Sequence, residues 1–311
     1  MSSSSESASK SATRTRLAPS RATRPTSRLN AAMTCDTAFR VIARRYLEDV
    51  TNNHEATRKG DPSALHRMRI ALTHLRAAIL FFSPMLADSQ QTEITDELKW
   101  LNAQLGAVRD LDVAVERLTE LNREKPEAIS HYKLWKQKSA DSHRKLAQVL
   151  GSLKYRRLIK NVSNWIENGR WSTKEGKHAE KRATPILAYS GNKLTRWRQK
   201  LLKKSRRLAK MSPKRRHRLR LLNKKLTYSI DFFQDLFSDE RLSRLQAGLK
   251  YLRKVQRSLG QLNDDANAHS LAAELQREGA HADLYFLGPK REKRLLRTAT
   301  AAYRRLDALN K

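Results

Sequence analysis

Glycine and proline are scarce in this chain of 311 residues, 10 and 8 respectively, and that scarcity argues against a turn-rich β fold. Leu, Ala, Arg, Lys and Gln abound instead, residue types that favour long helices. With one cysteine, Cys35, the chain has no internal disulfide, and a reducing compartment suits it. Long apolar runs are missing as well. The best, Leu75 to Leu86, is broken by Arg76 and Pro84 and falls short of the roughly 18 residues of a membrane span, so none is expected. The largest shortage is of acid: 31 Asp and Glu stand against 64 Lys and Arg, a formal charge of +33. From Lys181 to Ile230 there are 18 basic residues and no acidic one. Such an excess attracts polyanions and repels cations. Charge does not name the polyanion, and a nucleic-acid backbone suits this window as well as any other.

Residues 1–32 are Ser, Thr, Ala and Arg with a single acid, Glu6, and too few large apolar side chains to offset the entropy of ordering. A disordered basic tail is expected there. Its composition is like that of an organellar transit peptide, but it lacks an amphipathic stripe, and a simple tether to polyanions such as nucleic acid fits better. After it, helical periodicity predicts helices over 32–52, 61–82, 93–105, 110–122, 126–150 and 153–168. A polar connection, 169–184, precedes a second set over 185–210, 213–237, 239–259, 264–278 and 289–309. The expected fold is all-α: two antiparallel helical bundles, about 33–168 and 185–310, related by an approximate two-fold axis. At this length one large core or two modest ones can be buried.

The two sets share a text. Asp61-Pro62, His66, Arg67, Arg69, Leu75 and Phe81-Phe82 return 151 residues later as Ser212-Pro213, His217, Arg218, Arg220, Leu226 and Phe232-Phe233. Leu98, Leu105-Gly106 and Asp110 return after 154 as Leu252, Leu259-Gly260 and Asp264. At about 100° per residue, His66, Arg69, Thr73 and Arg76 fall within an arc of roughly 80°, beside an apolar stripe of Leu65, Met68, Leu72, Leu75, Ile79 and Phe82. The second copy sets His217, Arg220, Lys224 and Thr227 beside Leu219, Leu222, Leu226, Ile230 and Phe233, with Lys225 and Tyr228 flanking. Each polar row is roughly 15 Å long, which suits a string of phosphates better than one small anion. Arg offers a fork of donors, Lys a mobile point charge, and His a donor whose charge an adjacent phosphate raises. Asp110, Asp112, Asp264 and Asp265 read as groups that orient these arginines or cap helices after Gly106 and Gly260, with metal ligation as the alternative.

These motifs resemble those of the CHAD family, the conserved histidine α-helical domain. The first signature is Leu65-His66-Arg67-Met68-Arg69-Ile70 running on to Leu75-Arg76, and the second is Arg216-His217-Arg218-Leu219-Arg220-Leu221 running on to Lys224-Lys225-Leu226 and Tyr228. Leu105-Gly106-Ala107-Val108-Arg109-Asp110 and Leu259-Gly260-Gln261-Leu262-Asn263-Asp264 are similar to the family's Leu-Gly-x-x-Arg-Asp segment. The resemblance spans roughly 33–310. It implies a basic central channel or groove that binds inorganic polyphosphate, and association with polyphosphate granules and their proteins in the cytoplasm. By this likeness His66, Arg69 and Arg76 bind phosphate from one half, and His217, Arg220, Lys224, Lys225 and Tyr228 from the other. His74, Lys99, Arg109 and Arg253 are supporting candidates. The chain departs from the family at Thr73-His74, where two basic residues are usual, and at Thr227, where one is. His74 restores part of that charge at lower pH, from an ordinary pKa of about 6.5. Many relatives carry an N-terminal triphosphate-hydrolysing domain, and residues 1–32 could not form one.

The expectation is therefore a non-enzymatic polyphosphate binder with no metal or cofactor. Its main rival is a nucleic-acid protein that grips phosphates without base readout. An enzyme would use His66 or His217 with Mg²⁺ at Asp110-Leu111-Asp112, but no P-loop or Gly-rich cradle supports phosphoryl transfer.

Overall fold

The computed structural model describes residues 28–124, 132–277 and 288–309. Eleven α-helices are found among them: α1 (Cys35–Asn52), α2 (His54–Arg58), α3 (Pro62–Leu86), α4 (Ser89–Glu124), α5 (Tyr132–Gly151), α6 (Leu153–Asn168), α7 (Lys177–Ala183), α8 (Ile186–Ser205), α9 (Pro213–Phe232), α10 (Glu240–Arg277) and α11 (Pro289–Ala308). Most of the expected tail, residues 1–27, lies outside the described residues, as do 126–131 and Glu278 of the expected helices. Within the tail's last residues, Leu29 is buried in the core.

Local chemistry sets several helix starts. Thr34 caps α1 through Thr37 N, Asp61 caps α3 through Ser63 N at 2.8 Å, and Ser152 caps α6 through Tyr155 N. Pro62 and Pro213 open α3 and α9 at the first turn, where a missing N–H costs nothing. The repeat is visible in the packing. α1 on α3, α3 on α4 and α4 on α5 are answered by α8 on α9, α9 on α10 and α10 on α11, and α3 meets α9 between the halves. The halves also touch at their starts, where an antiparallel bridge joins Thr34 and Pro185 through Cys35 N to Thr184 O at 2.9 Å and Ile186 N to Met33 O at 2.9 Å.

The repeated Phe-Phe pairs form the joint. Phe81 packs on Phe233 at 5.3 Å between ring centroids, and Tyr46 on Phe232 at 5.7 Å. Phe39 adds edge-on contacts to Trp165 and Trp171 at 5.9 and 5.3 Å. Each large side chain buried here contributes roughly 1.5–3 kcal/mol, so the seam between halves is also the core.

Three expectations are corrected. Gly106 and Gly260 do not divide helices: α4 and α10 run through them, because neighbouring Leu98, Leu101, Leu105 and Leu252, Val255, Leu259 keep one buried stripe in phase. The connection 169–184 is not irregular throughout but holds a short 3₁₀ turn and α7. Finally, α3 is long and apolar enough to cross a membrane, although the run within it looked too short. Its apolar residues are spent inside the bundle, where Leu65, Met68, Leu72, Leu75, Phe81 and Phe82 have no exposure.

Candidate functional site

Helices α3 and α9 bring the two polar rows together at the seam. Arg69 of α3 and Arg220 and Lys224 of α9 are close enough to oppose one another's charge. Burial, then Arg220, then Arg69 push the Lys224 ammonium down to about 8, with Asp264 opposing. Burial lowers Arg69 as well; Asp110 opposes that shift, while Arg109 and Arg220 add to it. Further along, burial and Arg76 lower Lys225, and burial lowers Arg76. Tyr228 lies in the same cluster: burial raises its phenol against a hydrogen bond from Gln256 and the nearby Arg220 and Arg69. Cations facing each other in half-buried surroundings repel one another, Asp110 and Asp264 offset part of that repulsion, and an anion between them removes more of it.

Two carboxylates stand at equivalent places in the cluster. Asp110 approaches Arg69 at 3.8 Å, and partial desolvation together with Asp264 holds it above the usual carboxylate range against Arg69, Arg109 and Arg220. Asp110 thus orients an arginine, one of the roles expected, and caps no helix. Asp112, two residues on, points away: it is buried against α5, where it accepts from Ser139 Oγ at 3.1 Å and pairs with His143 Nε2 at 2.8 Å. The Asp110-Leu111-Asp112 pair therefore presents its carboxylates to different helices.

His66 and His217 do not meet. Each stands exposed near the start of its own helix beside its own half's long helix: His66 near Arg109 and Glu116, and His217 with Nδ1 2.6 Å from Asn263 Oδ1. Arg109 and Asn263 are equivalent positions 154 residues apart, so the contact is duplicated with one partner changed. Desolvation, Arg109 and Arg69 lower His66, and His217 also lines a cavity of about 340 Å³ of mixed charge at the start of α9.

The supporting candidates fare differently. Arg109 is engaged by Glu116 at 2.9 Å, Arg253 by Asp231 at 2.8 Å, and Lys99 by Asp96 at 2.7 Å. His74 belongs to the packing: it stacks on Tyr46 at 4.8 Å and against Tyr228 at 4.3 Å, its Nδ1 bonded to Ile70 O at 2.8 Å. Burial lowers its pKa, which moves its charging away from neutral pH. Thr227, expected in the polar row, is buried with Oγ1 donating to Asn223 O at 2.9 Å. It sits at the edge of the arc, one turn from Asn223, which bonds to Leu252 O of α10 and Tyr303 Oη of α11; equivalent Arg76 is half-buried.

Sequence reasoning passed over Gln256 and Asn263. Both were within reach of the repeat: Gln256 is equivalent to Asn102, an amide in each copy, and Asn263 to Arg109.

An all-helical duplicated domain with basic side chains gathered where its halves meet is thus defined. The chain belongs to the CHAD family, whose domain model matches residues 41–273. It is similar to the crystal structure of the CHAD domain from the plant Ricinus communis, with 25% identity over 94% of this chain and 95% of that one, at a TM-score of 0.66. PptA from Streptomyces chartreusis shares the fold at 13% identity over 89% of this chain and 96% of that one, at a TM-score of 0.54. A comparison with curated protein sequences gave no match.

Proposed function

We propose that this protein binds inorganic polyphosphate without catalysing a reaction on it, through the seam between α3 and α9. The observation that carries this reading is that cations of both halves act on one another at the seam: burial, Arg220 and Arg69 lower Lys224, and burial, Arg109 and Arg220 lower Arg69, across two halves that are far apart in sequence. Residues from both copies act on one small region, and a chain of phosphates laid along it would meet Arg69 and Arg76 from one side and Arg220, Lys224, Lys225 and Tyr228 from the other. His66 and His217 stand toward the ends of the two rows, where they would hold the emerging chain. Family membership favours the same ligand. Cytoplasmic residence at polyphosphate granules, beside granule proteins, belongs to this proposal, with a polyanion tether in residues 1–27 as an accessory.

Each charged contact is worth about 1.5–3 kcal/mol before ordering costs, so losing two arginines should be severe. Replacing Arg69→Glu with Arg220→Glu is expected to weaken binding of a long polyphosphate about 100-fold or more by titration calorimetry. Reversing Arg14 and Arg16 should cost under tenfold, because those charges lie outside the duplicated rows, which their helices hold preorganised. Equal losses from both pairs would mean that net charge does the binding. Competition at fixed salt tests the nucleic-acid rival: polyphosphate should displace duplex DNA, and failure to do so rejects the proposal.

A further inference from the structure

Outside the seam, α10 and α11 enclose a groove of about 460 Å³ whose walls carry Lys250, Tyr251 and Lys254 on one side and Arg297, Thr298 and Arg305 on the other. Its remaining lining is Lys- and Arg-free alanine, and no carboxylate contributes. Three other cavities of comparable size each include a glutamate, Glu292 or Glu167. All four cations are exposed, and none forms an ion pair among the described residues. Lys250 and Lys254 stand one helical turn apart and Arg297 and Arg305 two turns, so the trough is about 12 Å long. Thr298 and Tyr251 add neutral hydroxyls.

This groove is not part of the seam. Between them lies a buried layer in which Tyr303 of α11 donates to Asn223 of α9 at 3.3 Å and Asn223 donates to Leu252 O at 3.0 Å, flanked by Val255 and Leu306. Gly248 sits against Leu306, its missing side chain allowing α11 close to α10; an added Cβ would stand 2.7 Å from Leu306 Cδ1. Two packed helices therefore hold the cations at fixed separation.

We propose that the groove between α10 and α11 is a second site for a segment of polyphosphate, so that one molecule holds two chain segments and cross-links them. Four like charges converge on one trough without a carboxylate to relieve them, and an oligoanion carrying several phosphates supplies that relief along its length. The inference rests on polyphosphate binding at the seam and adds bivalency to it.

Tripolyphosphate, too short to reach both places, provides the test. Calorimetry should give two per wild-type molecule, and one for the variant combining Lys254→Glu with Arg297→Glu. Light scattering with long polyphosphate should show cross-linked assemblies for the wild type and for a charge-matched control, Lys203→Glu with Lys204→Glu. The groove variant should lose at least tenfold in scattering while still binding a single long chain at the seam. Two sites remaining in the groove variant, or equal loss of scattering in the control, overturns this inference and leaves the seam intact. Absence of any binding by the wild type removes the seam reading as well. Displacement of DNA but not of tripolyphosphate by groove substitutions would assign the groove to nucleic acid and overturn the proposal.

Discussion

Lys224 is the residue whose chemistry is easiest to read out. Its ammonium is pushed down to about 8, so it loses its proton where solvent lysines keep theirs. A bound anion favours the charged form, and affinity for polyphosphate should hold below pH 8 and fall as pH rises beyond it. Lys224→Arg should flatten that decline between pH 8 and 9.5 in a series of titrations. Stability moves the other way. Because the folded pKa lies below the unfolded 10.5, the unfolded chain binds more protons between about pH 8 and 10, and the ligand-free protein gains stability across that interval. Lys193 adds to the gain: it is also near 8, its Nζ donating to Phe81 O at 2.5 Å and lying close to Tyr189 Oη at 2.9 Å. Denaturant midpoints measured over that window check the sign. Arg69 and Arg220 were legible from the sequence because both copies kept them on one arc, and Lys224 because it falls on the same arc although its counterpart is Thr73. The burial of Thr227 and the stacking of His74 were not, since helical angle says which way a residue points and nothing of what packs over it.

At the scale of elements, glycine separated what the sequence shows from what packing decides. Gly106 and Gly260 looked like breaks, yet each lies inside a continuous helix with nothing within 4 Å of where a Cβ would stand. Gly106→Ala and Gly260→Ala should each stabilise the protein by about 0.5–1 kcal/mol, read as a higher denaturation midpoint. Gly169, at the end of α6, behaves in the opposite way. A Cβ there would come within 2.5 Å of both Trp165 O and the Trp171 indole, whose Nε1 donates to that carbonyl at 2.8 Å. Gly169→Ala should cost roughly 1–3 kcal/mol in the same measurement. Periodicity marked the helices well, and α6 matches its expected bounds, Leu153–Asn168. It failed where a buried stripe carried through a poor helix former, as in α4 and α10, because the contacts that outweigh propensity come from other helices.

For the whole molecule, a charge of +33 opposes compaction. Raising salt from low to about 0.15 M shortens the screening length to about 8 Å, and the thermal midpoint of the free protein should rise with it while polyphosphate affinity falls. A midpoint insensitive to salt would mean that the ion pairs around the molecule already balance the repulsion. The approximate two-fold relation of α3 and α9 bears, last, on orientation. Inorganic polyphosphate has no head and no tail, so a strand turned end for end offers the same oxygens. On the proposed reading, a cradle built from two copies of one helix need not sort incoming strands by polarity, and unequal neighbours such as Thr73 and Lys224 would tilt the grip without rejecting either heading. Nucleic acid, with its 5′ and 3′ ends, enjoys no such indifference.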